Sequence, residues 1–203
     1  MGKLIVVVGN SGVGKTTLVK SLCANNKHGN GLEEHFGRPF QTLFKTDHRY
    51  ALANQVDYLL LRAEQERFIR LGLKPGIQDG GLGMDFQVFT RLFLRKGYLS
   101  MEEFSICERL YYQIRSAQPP PEVIIWMRAP LDVVAARFAL RGRPLEIAEK
   151  DDLNAIDELL QDWLMNSDQE NLIHLDASKE DPGYEGCLPG LLVQLENLGL
   201  AGN

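Results

Sequence analysis

The chain has 203 residues, with 44% hydrophobic and 24% charged side chains, which are globular proportions that exclude wholesale disorder and fibrous repeats. Twenty-two Lys+Arg stand against 27 Asp+Glu, a formal charge of −5 that argues against a surface built to coat nucleic acid but allows a local cationic pocket. A chain of this length fits one domain and buries roughly 70% of its unfolded surface, so no disulfide or metal staple is required.

Lys3-Leu-Ile-Val-Val-Val8 is an almost unbroken apolar run closed by Gly9. Such a run predicts a strand buried on both faces, as in a parallel sheet. A glycine-rich turn follows, then a helix of about ten residues from Lys15. Residues 26–38 have no clear period and read as loops, with a poor strand near Leu32. Residues 47–71 read as a helix, on Leu59, Leu60, Ala63, Arg67 and Phe68 at helical spacing. A short strand is expected within 74–79. Residues 84–96 form a helix with Phe86, Phe89, Leu92 and Phe93 on one side, and 101–116 form another that Pro119 to Pro121 stop. Glu122-Val-Ile-Ile-Trp-Met127 is a second clear strand. Pro130 opens the next helix, where its missing N–H costs nothing, and Gly142 ends it. Helix 150–165, strand 171–175 and helix 188–198 complete the chain. Strands alternating with helices predict a three-layer α/β/α sandwich over a parallel sheet, in a single domain spanning 1–203.

Cys23, Cys107 and Cys187 form no close pair and suit a reducing compartment. No apolar run reaches the ~18 residues of a membrane span, and the first strand begins at once. The expectation is a cytoplasmic protein with neither leader nor membrane segment.

Gly9-Asn10-Ser11-Gly12-Val13-Gly14-Lys15-Thr16, followed by Thr17, is a complete G-x-x-x-x-G-K-[ST] loop between strand and helix. Glycines let backbone N–H groups curl around an anion, and the helix N-terminus adds its positive end. Lys15 can reach the outer phosphates of a nucleoside triphosphate, and the Thr16 hydroxyl can ligate Mg²⁺. Farther on, Arg137 and Arg141 are four residues apart and share a helix face, with Arg143 just past Gly142. Three guanidinium groups so close together can clamp a triphosphate and neutralise charge in transfer.

Residues 123–146, from the Val123-Ile-Ile-Trp-Met strand to Arg141-Gly-Arg143-Pro-Leu-Glu146, resemble the deoxyribonucleoside kinase family, as does the helix ending Leu159-Leu-Gln-Asp-Trp-Leu164. Together with the phosphate loop the resemblance covers most of the chain, least well at 24–50. It implies a P-loop NTPase fold with an Arg-rich lid, ATP and Mg²⁺ as cofactors, a nucleoside acceptor and a homodimer, with no nucleic acid or membrane partner. It implies Lys15, Arg141 and Arg143 at the transferring phosphoryl group, and Glu33 as base on the acceptor 5′-hydroxyl, with Glu34 the competing register. A carboxylate there would take the proton as the hydroxyl attacks. It further implies Gln55, Arg62 and Asp85 as readers of the base in the deoxycytidine and deoxypurine branch, Phe89 stacked on it, Phe44 and Glu146 at the sugar, and Asp79 beside Thr16 at the metal.

Two departures stand out. The family's Asp-Arg-Ser signature reads Asp79-Gly80-Gly81, removing a positive charge from the reacting centre. Phe44 takes the place of a tyrosine, so no hydroxyl reaches the sugar. These leave open an active kinase with a substitute cation, Arg38 or Arg128 being the candidates. They also leave open a kinase for nucleoside monophosphates of the thymidylate type, and a nucleotide-binding homologue with little catalysis.

Overall fold

The computed structural model describes residues 2–24, 29–31, 38–142, 147–167 and 171–200. Five strands, β1 (Leu4–Gly9), β2 (Gly29–Gly31), β3 (Gly76–Asp79), β4 (Val123–Arg128) and β5 (Leu172–Asp176), form one sheet in the order β2-β3-β1-β4-β5. All pairings are parallel. Every residue of β1 is buried, as its unbroken apolar run requires of a central strand.

Alternate residues of β1 face opposite layers. Ile5 and Val7 pack with Leu18, Val19 and Leu22 of α1 (Lys15–Ala24), Val134 of α7 (Leu131–Arg141), and Leu191 and Leu195 of α9 (Leu188–Asn197). Leu4, Val6 and Val8 pack with Ile69 of α3 (Ala51–Leu71), Met84 of α4 (Gly81–Met84), Leu92 of α5 (Arg91–Arg95), and Ile156 and Leu160 of α8 (Leu153–Met165). This is the expected sandwich. Helix α6 (Met101–Ala117) lies outside that second layer, and the Ser100–Glu103 capping box satisfies its first N–H groups. No described helix is long and apolar enough to cross a membrane.

Three stretches differ from the sequence expectation. Helix α2 (Pro39–Thr46) was not foreseen; Pro39 starts it, and its single buried residue is Phe44. The helix expected over 47–71 begins only at Ala51. Asp47 is extended and its carboxylate accepts the Arg49 N–H at 3.0 Å, closing a 3₁₀ turn over His48–Tyr50. The helix expected over 84–96 starts at Gly81 and widens into a π turn over Asp85–Thr90, where the Thr90 hydroxyl donates to the Asp85 carbonyl at 2.9 Å. The poor edge strand is Gly29–Gly31, and Leu32 lies outside the described residues.

The π turn carries the Phe86 ring, fully buried and stacked on Tyr111 with centroids 4.4 Å apart. Leu59, Leu82 and Cys107 close the same cluster. Replacing Phe86 with Ala opens a cavity between α3, α4 and α6 and is expected to destabilise the fold by about 3–5 kcal/mol. A fall in the urea midpoint with an unchanged m-value will show it.

Candidate active site

The parallel register places Asp79, the last residue of β3, level with Val7 of β1. Two residues beyond Val7 the chain leaves the sheet at Gly9 and turns through the phosphate loop into α1. The Thr16 hydroxyl therefore donates to the Asp79 carboxylate across the crevice, at 2.6 Å. Oxygen ligands at the carboxyl ends of adjacent parallel strands are where an α/β sheet binds nucleotides.

Within the loop, Lys15 folds back so that its ammonium donates to the carbonyls of Gly9 (3.0 Å) and Asn10 (3.1 Å). Asn10 is buried; its amide donates to the Leu153 carbonyl at 2.7 Å and its side-chain oxygen accepts the Ser11 N–H at 2.8 Å. It shapes the loop from behind. Gly12 sits against the α7 backbone, where a Cβ would lie 3.0 Å from both the Phe138 nitrogen and the Val134 carbonyl oxygen.

Gly12 to Thr17 form one wall of a cavity of about 380 Å³, and Arg137, Arg141 and residues 179–184 form the other. The two arginines differ. Arg141 lines the cavity at the end of α7, where Gly142 adopts the left-handed conformation that stops the helix. Arg137 donates to the carbonyls of Ala177 (2.6 Å) and Lys179 (3.1 Å), tying the lid helix to the segment after β5. Arg143, Glu146, Glu33 and Glu34 lie outside the described residues.

The residues expected at the nucleoside meet on α3 and the π turn. Gln55 and Arg62 are seven residues apart, about two turns, and share a face of α3. Arg62 Nε donates to Asp85 at 2.7 Å, with both side chains more than nine-tenths buried. Arg62 also donates to Gln65 Oε1 at 3.2 Å, and Gln65 in turn accepts from Gln78 Nε2 on β3 at 2.9 Å. A Cβ at Gly80 would lie 3.4 Å from Arg62 Nη2, so the Arg62 guanidinium adjoins the residue after Asp79. Gln55 is buried, and its Nε2 has no partner among the described residues, an unmet donor that a ligand group would satisfy. Phe89 is half-buried at the edge of the core. Phe44 is buried at 3% exposure and stacks on Phe93 at 4.6 Å, which makes it a packing residue in an aromatic cluster with His48 and Tyr98.

Both candidate substitute cations have partners of their own. Arg38 forms a two-pronged ion pair with Asp57 at 2.5 Å, and Arg128 lies over the Trp126 ring at 4.5 Å. A second, larger cavity of about 580 Å³ between α3, α6 and α8 shares no lining residue with the phosphate loop.

Two residues outside the sequence reading emerge. Asn54 is fully buried, and neither of its amide atoms has a partner among the described residues. Tyr184 is buried, its hydroxyl donates to the Val13 carbonyl at 3.2 Å, and burial pushes its phenol pKa up, so it remains a donor. Its φ of 59° is the one positive value at a non-glycine among the described residues. That conformation costs an L-residue about 1–2 kcal/mol. Nothing local in the sequence marks either residue.

A family model described as deoxynucleoside kinase matches residues 5–184. The chain is 27% identical over 147 residues to the deoxyadenosine/deoxycytidine kinase of Bacillus subtilis (strain 168), covering 71% of this chain and 68% of that protein. Among solved structures it is similar to deoxyadenosine kinase from M. mycoides with bound dCTP. There the TM-score is 0.77 at 14% identity, over 94% of this chain and 99% of the other, a likeness of fold.

Removing one member of a buried ion pair strands the other charge. Arg62→Met is therefore expected to destabilise the protein by about 3–5 kcal/mol, and Arg62→Met with Asp85→Leu to recover most of that loss. Urea unfolding of the two variants checks the pair.

Proposed function

Because the chain belongs to the deoxynucleoside kinase family, whose members are phosphotransferases, we propose that it moves the γ-phosphoryl group of ATP to the 5′-hydroxyl of a deoxyribonucleoside of the deoxycytidine or deoxypurine type. The observation that carries this reading is the adjacency of two hydrogen-bonded pairs. Thr16–Asp79 at the phosphate loop and Arg62–Asp85 at the buried, polar end lie on either side of Gly80, the residue after Asp79, whose empty Cβ position is 3.4 Å from Arg62 Nη2.

Each residue then has a task. The loop amides and the α1 N-terminus hold the phosphates, and Lys15 swings from its backbone carbonyls onto the transferring group. Arg141, with Arg143 after it, neutralises charge that develops as the phosphoryl group moves. Thr16 and Asp79 offer two adjacent hard oxygens, a donor set that fits Mg²⁺ held through few protein ligands, phosphates and water. Bound there, Mg²⁺ would supply charge neutralisation between the outer phosphates. Glu33 takes the proton of the acceptor hydroxyl, and Glu146 holds the sugar; both roles rest on the resemblance. The Gln55 amide and the Arg62–Asp85 pair read the base edge. Asp85 accepts a hydrogen bond from a base amino group, which thymine does not have.

A nucleoside monophosphate acceptor would need further cations near Phe44. Arg38 is already committed to Asp57, which favours the uncharged acceptor. All three cysteines are free, which suits the reducing cytoplasm. Pairing of two copies would fall to α6, whose Met101, Ile106 and Tyr112 are exposed, because Phe86, Leu92 and Phe93 of the preceding segment are buried within the subunit.

A panel of deoxynucleosides and monophosphates with Mg·ATP, read by nucleotide consumption and by product, tests this function. Phosphorylation of deoxycytidine, deoxyadenosine or deoxyguanosine in preference to thymidine is expected. Lys15→Ala is expected to remove turnover while leaving the circular dichroism spectrum and melting temperature intact. Thymidine as the preferred acceptor would refute the base assignment, and a folded Lys15→Ala variant at full turnover would refute the phosphate-loop mechanism.

A further inference from the structure

We propose that Tyr184 is a positioning residue for the phosphate loop, holding the Val13–Gly14 peptide so that the Gly14 N–H points into the phosphate cradle. The proposal rests on that loop as the ATP site and requires nothing of the acceptor. Three independent observations carry it.

The first is the contact. The Tyr184 hydroxyl donates to the Val13 carbonyl at 3.2 Å. The Val13 C=O and the Gly14 N–H belong to one rigid peptide plane and point in opposite directions. A hydrogen bond that holds the carbonyl oxygen therefore fixes the direction of the N–H on the other side. In a phosphate loop, oriented N–H groups are the binding chemistry.

The second is the space. A Cβ at Gly14 would lie 2.1 Å from the Tyr184 hydroxyl oxygen and 3.2 Å from the ring carbon that bears it. The tyrosine fills the volume that a side chain at position 14 would take. Gly14 itself has a φ of 109°, which only glycine adopts readily. The loop conformation and the tyrosine fit each other.

The third is the strain and what holds it. Tyr184 has a φ of 59°, directly after Gly183 at 68°. Its N–H donates to the Asp181 carbonyl at 2.9 Å, and its carbonyl accepts the Cys187 N–H at 3.2 Å. A strained residue persists where its surroundings over-determine it, and such residues gather at functional sites. Here the strain delivers the ring from the wall of the donor cavity to the loop opposite. The other end of that wall is held by Arg137 through Ala177 and Lys179. The segment from 177 to 184 is thus fastened to the lid helix at one end and to the phosphate loop at the other.

The test is Tyr184→Phe, which keeps the ring and the packing and removes only the hydroxyl. The affinity for Mg·ATP alone, by calorimetry, and the KM for ATP are expected to weaken about 3- to 10-fold, the range of one lost hydrogen bond. The KM for the acceptor nucleoside is expected to stay within twofold. Tyr184→Leu, which also removes the ring, is expected to weaken ATP binding further. A Phe variant that binds Mg·ATP like the wild type overturns the proposal. So does one whose melting temperature falls while both KM values hold, because Tyr184 would then serve stability alone. An equal rise in the acceptor KM overturns it as well. Wild-type protein that binds no Mg·ATP would overturn the phosphate-loop reading together with this one, whereas a wild type that binds Mg·ATP but phosphorylates no nucleoside would overturn only the acceptor assignment.

Discussion

The 2.6 Å hydrogen bond between Thr16 and Asp79 is the point from which the site is built. It joins the first turn of α1 to the end of β3, and it exists only because β1 and β3 pair in one register, with Val7 opposite Asp79. Side chains on a strand alternate faces, so a slip of one residue would turn Asp79 away from the crevice. The apolar run of β1 guards against that slip. Ile5 and Val7 are committed to one helical layer, and Leu4, Val6 and Val8 to the other, so any shift exposes five buried side chains to the wrong neighbours.

From that contact the site extends in two directions, and the means differ. Toward the donor, backbone does the work. Glycines give up side chains so that the loop can approach α7 at Gly12 and Tyr184 at Gly14. Toward the acceptor, buried side chains do it. Arg62, Asp85, Gln65 and Gln78 form one hydrogen-bonded set that ties α3 to the π turn and to β3. A set of this kind contributes little net stability when complete and is costly when broken. Its value lies in holding donors and acceptors still, and under the proposed function a mismatched base would leave those charges unpaired.

Legibility followed the range of the physics. The central strands, the phosphate loop and the end of α7 at Gly142 depend on residues close in sequence, and each is where the pattern puts it. The Arg62–Asp85 contact spans 23 residues, and no local pattern announces it; it came from the resemblance and is found at 2.7 Å. Helix α2 hides because it is short: Phe40, Leu43 and Phe44 stand at helical spacing but make a single apolar repeat over eight residues, and only Phe44 is buried. The π turn hides because Thr90 bonding back to Asp85 shifts the helical spacing after the fact. Tyr184 hides most completely, since its partner Val13 is 171 residues away and its backbone conformation is one that sequence rules assign to glycine.

The altered signature at Asp79-Gly80-Gly81 looks like a loss in the sequence, and the backbone gives it a further character. Gly80 has a φ of 84° and Gly81 one of 76°, a turn that glycine adopts readily and an L-residue only at a cost. Space is not what keeps position 80 bare, because a Cβ there would meet Arg62 Nη2 at 3.4 Å, an ordinary contact distance. The two glycines therefore belong to the turn that leads from β3 into α4. The Arg62–Asp85 pair beside that turn is complete without a charge from position 80, since Arg62 is held by Asp85 and Gln65.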